Sequence, residues 1–244
     1  MLPLLITGCK GRMGQALIAA ATADPDCEAH RTIDLGDPIL PALQACATVI
    51  DFSHHSFAAE LVDACVAQQK SLVIGTTGHT DVELALIANA AKSIPIVKAG
   101  NYSIGVNTLF WLTRKAAEIL GENFDLEVVE MHHNQKIDAP SGTARRLVEI
   151  LAEVRDLDYK QHVAHGREGN IGKRPQREIG LHALRGGDVI GDHTVIYATP
   201  GERVELTHKA SSREIFATGA VRAAKWLAGR PAGLYDMEDV LGLR

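Results

Sequence analysis

The feature that most restricts the fold is an alternation of short apolar runs and amphipathic runs over the first hundred residues. A glycine cluster sits at its first turn. Leu2 to Thr7 is apolar, and Gly8-Cys9-Lys10-Gly11-Arg12-Met13-Gly14 follows it. A helical apolar pattern then runs to Ala23. Glycines between a strand and a helix suit a dinucleotide. The first allows the tight turn, the middle one lets the backbone approach a pyrophosphate, and the last lets helix and strand pack closely. The spacing is GxxGxxG, not GxGxxG, so the flanking strand and helix carry the inference. The bland alternative is an ordinary βα turn.

The alternation continues. Cys27 to Ile33, Thr48 to Ser53, Ser71 to Ile74 and Ile94 to Lys98 read as strands. Phe57 to Gln69 and Asp81 to Lys92 read as helices between them. Such a series folds as a mostly parallel sheet with helices on both faces, a Rossmann-like α/β domain. Its ligand belongs at the carboxyl ends of the strands. Those tips are Gly8 to Gly14, Asp34, Phe52-Ser53, Gly75-Thr76-Thr77 and Ala99-Gly100-Asn101-Tyr102. Asp34 follows Gly14 by 20 residues, where an acid can bind the ribose hydroxyls of an adenosine. Asp37 is a rival three residues on, and Arg31 lies inside the strand, short of its tip. Leu35, not a cation, follows Asp34, so a 2′-phosphate meets repulsion and NADH is favoured. His54-His55 invites a metal reading, but no third ligand is near; they read as turn residues or as a helix start beside the cofactor, and no metal is expected.

After Gly105 the texture changes. Gly105 to Leu120 is a long helical pattern leading out of the first domain. Gln161–Gly166, Glu178–Leu184, Asp188–Thr199 and Glu202–His208 read as strands on short turns. With a helix over Thr143 to Leu157, they suggest an α+β domain with an open mixed or antiparallel sheet. Glu168 to Arg177 reads as a mobile loop. Ser211 to Gly229 is helical again and returns to the first domain, with a short tail after Pro231. The expected division is residues 1–103 with 213–244 as the dinucleotide-binding domain and 104–212 as the substrate-binding and oligomerisation domain.

The net charge of −5 argues against a nucleic-acid binder, so an anionic substrate must be met by a local basic patch. No apolar stretch approaches the roughly 20 residues that span a bilayer, and the N-terminus lacks a signal-peptide pattern. Cys9, Cys27, Cys46 and Cys65 form no CxxC motif and read as small buried hydrophobes in a reducing, cytoplasmic compartment.

The densest run of reactive side chains is Glu127 to Ala144, at the junction of an expected strand and an expected helix. It holds His132, His133, Lys136, Asp138, Ser141, Gly142 and Thr143. Histidine can donate a proton near neutral pH because its ordinary pKa is about 6.5. Lys136 can hold a carboxylate and stabilise charge that develops nearby. Ser141, Gly142 and Thr143 open a helix, where N–H groups and hydroxyls can cradle a carboxylate. Paired histidines are often mere loop residues, and Ser-Gly-Thr is a common helix start. Neither accounts for two histidines, a cation and an anion cradle within twelve residues. Asp138 reads as a hydrogen-bonding partner, and Arg185 and Arg213 as further structural or substrate-domain cations.

The run Glu130-x-His132-His133-x-x-Lys136-x-Asp138-x-Pro140-Ser141-Gly142-Thr143-Ala144 resembles the signature of the bacterial 4-hydroxy-tetrahydrodipicolinate reductase (dihydrodipicolinate reductase) family. So do Gly8–Gly14, Gly75–Gly78, Asn101–Asn107, Arg185–Asp188 and Thr207–Arg213, in order and spacing. The resemblance implies NAD(P)H-dependent reduction of a cyclic imine dicarboxylate in diaminopimelate and lysine synthesis. It assigns the proton donor to His132, which the residues alone do not separate from His133. It implies substrate contacts by His133, Lys136, Ser141, Gly142 and Thr143. On the cofactor side it implies Gly8 to Met13, Asp34, Gly75 to Thr77 and Ala99 to Tyr102. It also implies a homotetramer built through the substrate domains. Two departures stand out. The family often has an acid followed by arginine where this chain has Asp34-Leu35, which bears on the use of NADPH, and the segment from Asp34 to Asp51 is short. Two other readings share the glycine motif: another Rossmann amino-acid dehydrogenase, such as an aspartate or diaminopimelate dehydrogenase, and a nucleotide-sensing protein without turnover.

Overall fold

Six parallel strands make the first sheet in the computed structural model, which describes residues 1–244. The chain begins β1 (Leu2–Thr7), α1 (Arg12–Ala23), β2 (Cys27–Ile33), α2 (Ile39–Leu43) and β3 (Thr48–Asp51). It continues α3 (Ala58–Ala67), β4 (Ser71–Ile74), α4 (Asp81–Ala90) and β5 (Pro95–Lys98). Next come α5 (Ile104–Leu120), β6 (Asp125–His132), α6 (Gly142–Arg155), α7 (Tyr159–His162), β7 (Val163–His165), β8 (Ile179–Arg185), β9 (Gly191–Thr199) and β10 (Glu202–Ala210). It ends α8 (Glu214–Leu227), β11 (Gly233–Tyr235) and α9 (Met237–Leu241). Two units result: residues 1–104 with 213–244, and residues 105–212.

The first sheet has the order β11-β5-β4-β3-β1-β2. Its strands are apolar on both faces, as a sheet covered on both sides requires. Leu5, Val49, Leu72 and Ile96 pack with residues of α2, α3 and α4. Leu4, Ile6, Ile50, Val73 and Val97 pack with α1 and α8. α8 lies close because it presents Ala217, Ala220, Ala223 and Ala224, all fully buried. The chain runs from β1 out to β2, then back to β3 on the other side of β1. That reversal opens a crevice at the carboxyl ends of β1 and β3, where such sheets bind ligands.

Three elements of the first unit lie outside the sequence expectations. α2 fills the segment after Asp34, and β11 and α9 fold from the tail. β11 is only three residues long, too short to show a periodic pattern, and it pairs in parallel with β5. α9 is set by Asp236, which caps its start and exchanges hydrogen bonds with Asp239.

The second sheet has the order β10-β9-β6-β8-β7. It is mixed: β6 runs parallel to β8, β7 parallel to β8, and β9 antiparallel to both β6 and β10. α6 covers one face, packing Leu147, Val148 and Leu151 on Leu126, Val128, Ile179, Leu181, Val195 and Tyr197. Each such side chain contributes roughly 1.5–3 kcal/mol when fully buried. The strand expected over Gln161–Gly166 begins late, because Asp158 caps the short α7 over Tyr159–His162. The loop expected to be mobile is tied down on either side of its tip. Arg167 bonds Glu127 and Glu178, and Arg174 reaches Asp125, Glu127 and the carbonyls of Leu126 and Glu178.

Candidate active site

Within the first unit, the crevice at the ends of β1, β2 and β3 is a cavity of about 730 Å³. Gly8, Lys10, Gly11, Asp34, Leu35, Phe52, Ser53 and His54 are among its lining residues. Two glycines of the loop are required by geometry. Gly8 has φ +69° and its α-carbon faces the Phe52 carbonyl. At Gly14 a β-carbon would collide with the Gly8 carbonyl and Cys9. Gly11 is the N-cap of α1; no side chain caps that helix and no acid lies in its first turn. An anion is therefore the natural partner for its outward N–H groups. Cys9 donates its N–H to the Ile33 carbonyl at 3.2 Å, Arg12 is exposed at the helix start, and Met13 packs into the core beneath.

Asp34 stands at the tip of β2. Its carboxylate accepts the N–H of Lys10 at 2.7 Å and that of Leu35 at 2.8 Å, and these two bonds hold it below the ordinary range. Asp37 accepts the Asp34 N–H at 2.8 Å, so it braces the turn and does not compete for the tip. No cation follows Asp34 in sequence, but the Lys10 side chain is close enough to depress its pKa.

The remaining tips are tied from below by a buried acid. Asp51 accepts hydroxyl bonds from Thr7 at 2.5 Å, Ser53 at 2.5 Å and Thr76 at 2.6 Å. Thr76 thus spends its side chain on the loop, while Thr77 is exposed. A β-carbon at Gly75 would strike the Phe52 ring, so this glycine seats the ring. Ala99 donates its N–H to the Ile74 carbonyl, Gly100 is exposed, and Asn101 accepts the Ser103 N–H. Tyr102 departs from expectation. Its ring is buried in the core, and its hydroxyl donates to the carbonyls of Ile74 and Val97. Only its main chain remains for a cofactor. His54 bonds Ser56 and His55 bonds Glu83, as residues that start a helix do.

In the second unit, β6 runs into the reactive loop. Alternation along a strand puts Glu130 and His132 on one face, the face that α6 covers. Glu130 is fully buried and its carboxylate is saturated. It accepts His132 Nδ1 at 2.6 Å, both terminal nitrogens of Arg185 at 2.8 and 3.0 Å, and the Ser141 N–H at 3.1 Å. Burial pushes its pKa up, but these bonds outweigh it and hold the carboxyl below its usual value. His132 is 8% exposed, with its ring edge-on to that of His193. With Nδ1 on a carboxylate, Nε2 is the nitrogen that can exchange a proton with a ligand.

The loop after His132 is held by the turn after β8. Gly186 donates to the His132 carbonyl at 2.9 Å, His133 donates to the Val189 carbonyl at 2.7 Å, and Asn134 to the Gly187 carbonyl at 3.2 Å. His133 and Lys136 are half-buried. Lys136 Nζ bonds Asp138 at 2.7 Å, which holds the Asp138 carboxyl low. The Ala139–Pro140 peptide is cis. Ser141 departs from expectation: its Oγ accepts the Ala144 N–H as the cap of α6 and lies 3.0 Å from His193 Nε2, and its N–H goes to Glu130. It builds the loop. Gly142 and Thr143 form the first helical positions behind it. Arg185 is the buried carboxylate's partner, and Arg213 is exposed at the start of α8 in the first unit.

Sequence reasoning assigned no role to Glu130 and overlooked His193. The two-residue spacing of Glu130 and His132 in an expected strand was the available signal. For His193 there was none, because its place depends on the register of β9 against β6.

Residues 2–102 match the N-terminal model of dihydrodipicolinate reductase, and residues 105–241 match the C-terminal one. A 4-hydroxy-tetrahydrodipicolinate reductase of Akkermansia muciniphila is 62% identical over 243 residues, spanning 100% of this chain and 99% of its own. One from Anaeromyxobacter dehalogenans is 43% identical, at 100% and 99% coverage. A dipicolinate-bound dihydrodipicolinate reductase from Paenisporosarcina sp. TG-14 has the same fold, with TM-score 0.80 and 24% identity over 98% of this chain and 99% of that one. The glycine-loop crevice, the Glu130–His132 pair and these matches over both units lead to one conclusion: the chain belongs to the dihydrodipicolinate reductase family.

Proposed function

We propose that this chain reduces 4-hydroxy-tetrahydrodipicolinate to tetrahydrodipicolinate with NAD(P)H, in diaminopimelate and lysine biosynthesis. The observation that carries this reading is the 2.6 Å contact of His132 with buried Glu130, four residues before Lys136. A pyridine nucleotide held in the crevice would supply the hydride for a ring carbon of the substrate. His132 supplies the proton to the other end of the reduced double bond, and the 4-hydroxyl leaves as water overall. Glu130 orients the imidazole by holding its Nδ1, which leaves Nε2 to face the substrate. Lys136 leaves Asp138 for a substrate carboxylate, and its charge stabilises what builds on the ring. His133 contacts the substrate, and the N–H groups at Gly142 and Thr143 meet the other carboxylate. Ser141 supports that cradle from behind.

The family and the crevice support a pyridine nucleotide. In our reading its pyrophosphate lies on the Gly8–Met13 loop and its adenosine ribose on Asp34, with the nicotinamide end at Gly75–Thr77 and Ala99–Tyr102. Asp34 disfavours a 2′-phosphate, so NADH is the preferred donor, while Lys10 leaves NADPH usable. The first unit is then the dinucleotide-binding domain and the second the substrate-binding and oligomerisation domain. No helix is long and apolar enough to cross a membrane. We read the enzyme as a cytoplasmic homotetramer.

The test is spectrophotometric. The protein is mixed with NADH and the fresh condensation product of pyruvate and aspartate semialdehyde, and nucleotide absorbance is followed. Failure to oxidise either NADH or NADPH overturns the reading.

A further inference from the structure

The antiparallel pairing of β6 and β9 sets His193 opposite Glu130. Its ring stands edge-on to that of His132, with centroids 5.2 Å apart and planes at 74°. Its Nε2 is 3.0 Å from Ser141 Oγ, the atom that also caps α6. One buried imidazole therefore touches both the proposed acid and the start of the helix behind it. His193 Nδ1 is buried with no partner. Protonating both nitrogens would bury an unpaired N–H donor, which is costly. The charged and titratable groups around it are His132 and Glu130 from β6, His208 from β10 and Lys136 from the loop. Burial first, then the neighbouring His132, drives its pKa down to about 4, so it is neutral near pH 7.

We propose that His193 is a positioning residue for proton donation: its neutral ring, anchored on Ser141, keeps the His132 ring turned onto Glu130. The inference rests on the reading of His132 as the donor. A second imidazolium here would repel the first. A smaller side chain would let the His132 ring turn away from the carboxylate that orients it.

Two variants divide the roles. His193→Gln keeps a hydrogen-bonding end but loses the aromatic edge; His193→Phe keeps the edge but loses the bond to Ser141. Activity falls as pH rises through the pKa of the acid. With the Glu130 contact weakened, that alkaline limb of kcat moves to lower pH. For His193→Gln we expect kcat to fall about tenfold or more, with the limb moved down and the KM for NADH within about twofold. His193→Phe moves the same way by less, and it carries the test if the Gln variant does not fold. The His132 imidazole, followed by NMR in labelled protein, should titrate at lower pH in both variants. That measurement needs no turnover, so it stands apart from the assignment of the reaction, which wild-type turnover tests. An unmoved His132 titration and limb, with kcat per folded molecule within about twofold of wild type, would overturn the proposal even if stability fell.

Discussion

Glu130 Oε2 lies 2.6 Å from Nδ1 of His132, and Arg185 grips the same carboxylate with both terminal nitrogens. The acid is thus ionised, oriented and unable to swing away. Its bonds are charge-assisted, each stronger than a neutral one. Glu130→Gln keeps the volume but loses the charge. It should lower kcat about 10²-fold while leaving NADH binding intact, because the residues proposed to hold the nucleotide lie in the other unit. Steady-state kinetics and fluorescence titration of NADH check this; a kcat within threefold of wild type would remove Glu130 from the mechanism.

Lys136 is paired with Asp138, whose own carboxylate mimics the one proposed to come with the substrate. Lys136→Met should raise the substrate KM about tenfold or more and lower kcat as well, since a hydrogen bond to a charged group is worth about 1.5–3 kcal/mol. Asp138→Asn removes the competitor, so the substrate KM should fall or stay level. A tenfold rise in that variant would mean that Asp138 itself positions the substrate.

How much of this was legible in the sequence follows from what each feature depends on. The glycine loop and Asp34 are local: a strand, a turn and a helix start within 34 residues. Both stand at strand tips as expected, and the structure adds the Lys10 N–H on the Asp34 carboxylate. The side chains of Tyr102 and Ser141 are different. Their residue types suit both a ligand contact and a structural bond, and only tertiary packing decides. Tyr102 has two carbonyls within reach below it, and Ser141 has a helix to cap. β11 was illegible because it borrows its stability from β5 and not from its own pattern.

The adenosine end gives a prediction about selectivity. The Asp34 carboxylate repels a 2′-phosphate, and the cation that acts on it, Lys10, reaches it from the glycine loop and not from the next residue. Asp34→Asn should cut the ratio of kcat/KM for NADH over NADPH about tenfold, and Lys10→Ala should weaken NADPH more than NADH. Kinetics with the two donors test both. A strong preference of the wild-type enzyme for NADPH would defeat the argument.

His193 makes stability depend on pH, and the sign can be worked out. Its pKa is lowered in the folded chain to about 4 by burial, against an ordinary 6.5. Between those values the unfolded chain binds a proton that the folded chain refuses, so stability rises with pH through this window. The full contribution is present above pH 6.5 and is lost as pH falls toward 4. At about 1.4 kcal/mol per pH unit the whole window is worth about 3 kcal/mol, and the step from pH 7 to pH 5 about 2 kcal/mol. His79 and His208 are also held low by burial and add to the same trend. The difference between wild type and His193→Phe isolates one residue. Urea unfolding at pH 7 and pH 5 should show wild type losing about 2 kcal/mol more than the variant over that step. Equal losses would mean that His193 accepts a proton in the folded state, and its neutrality beside His132 would have to be abandoned.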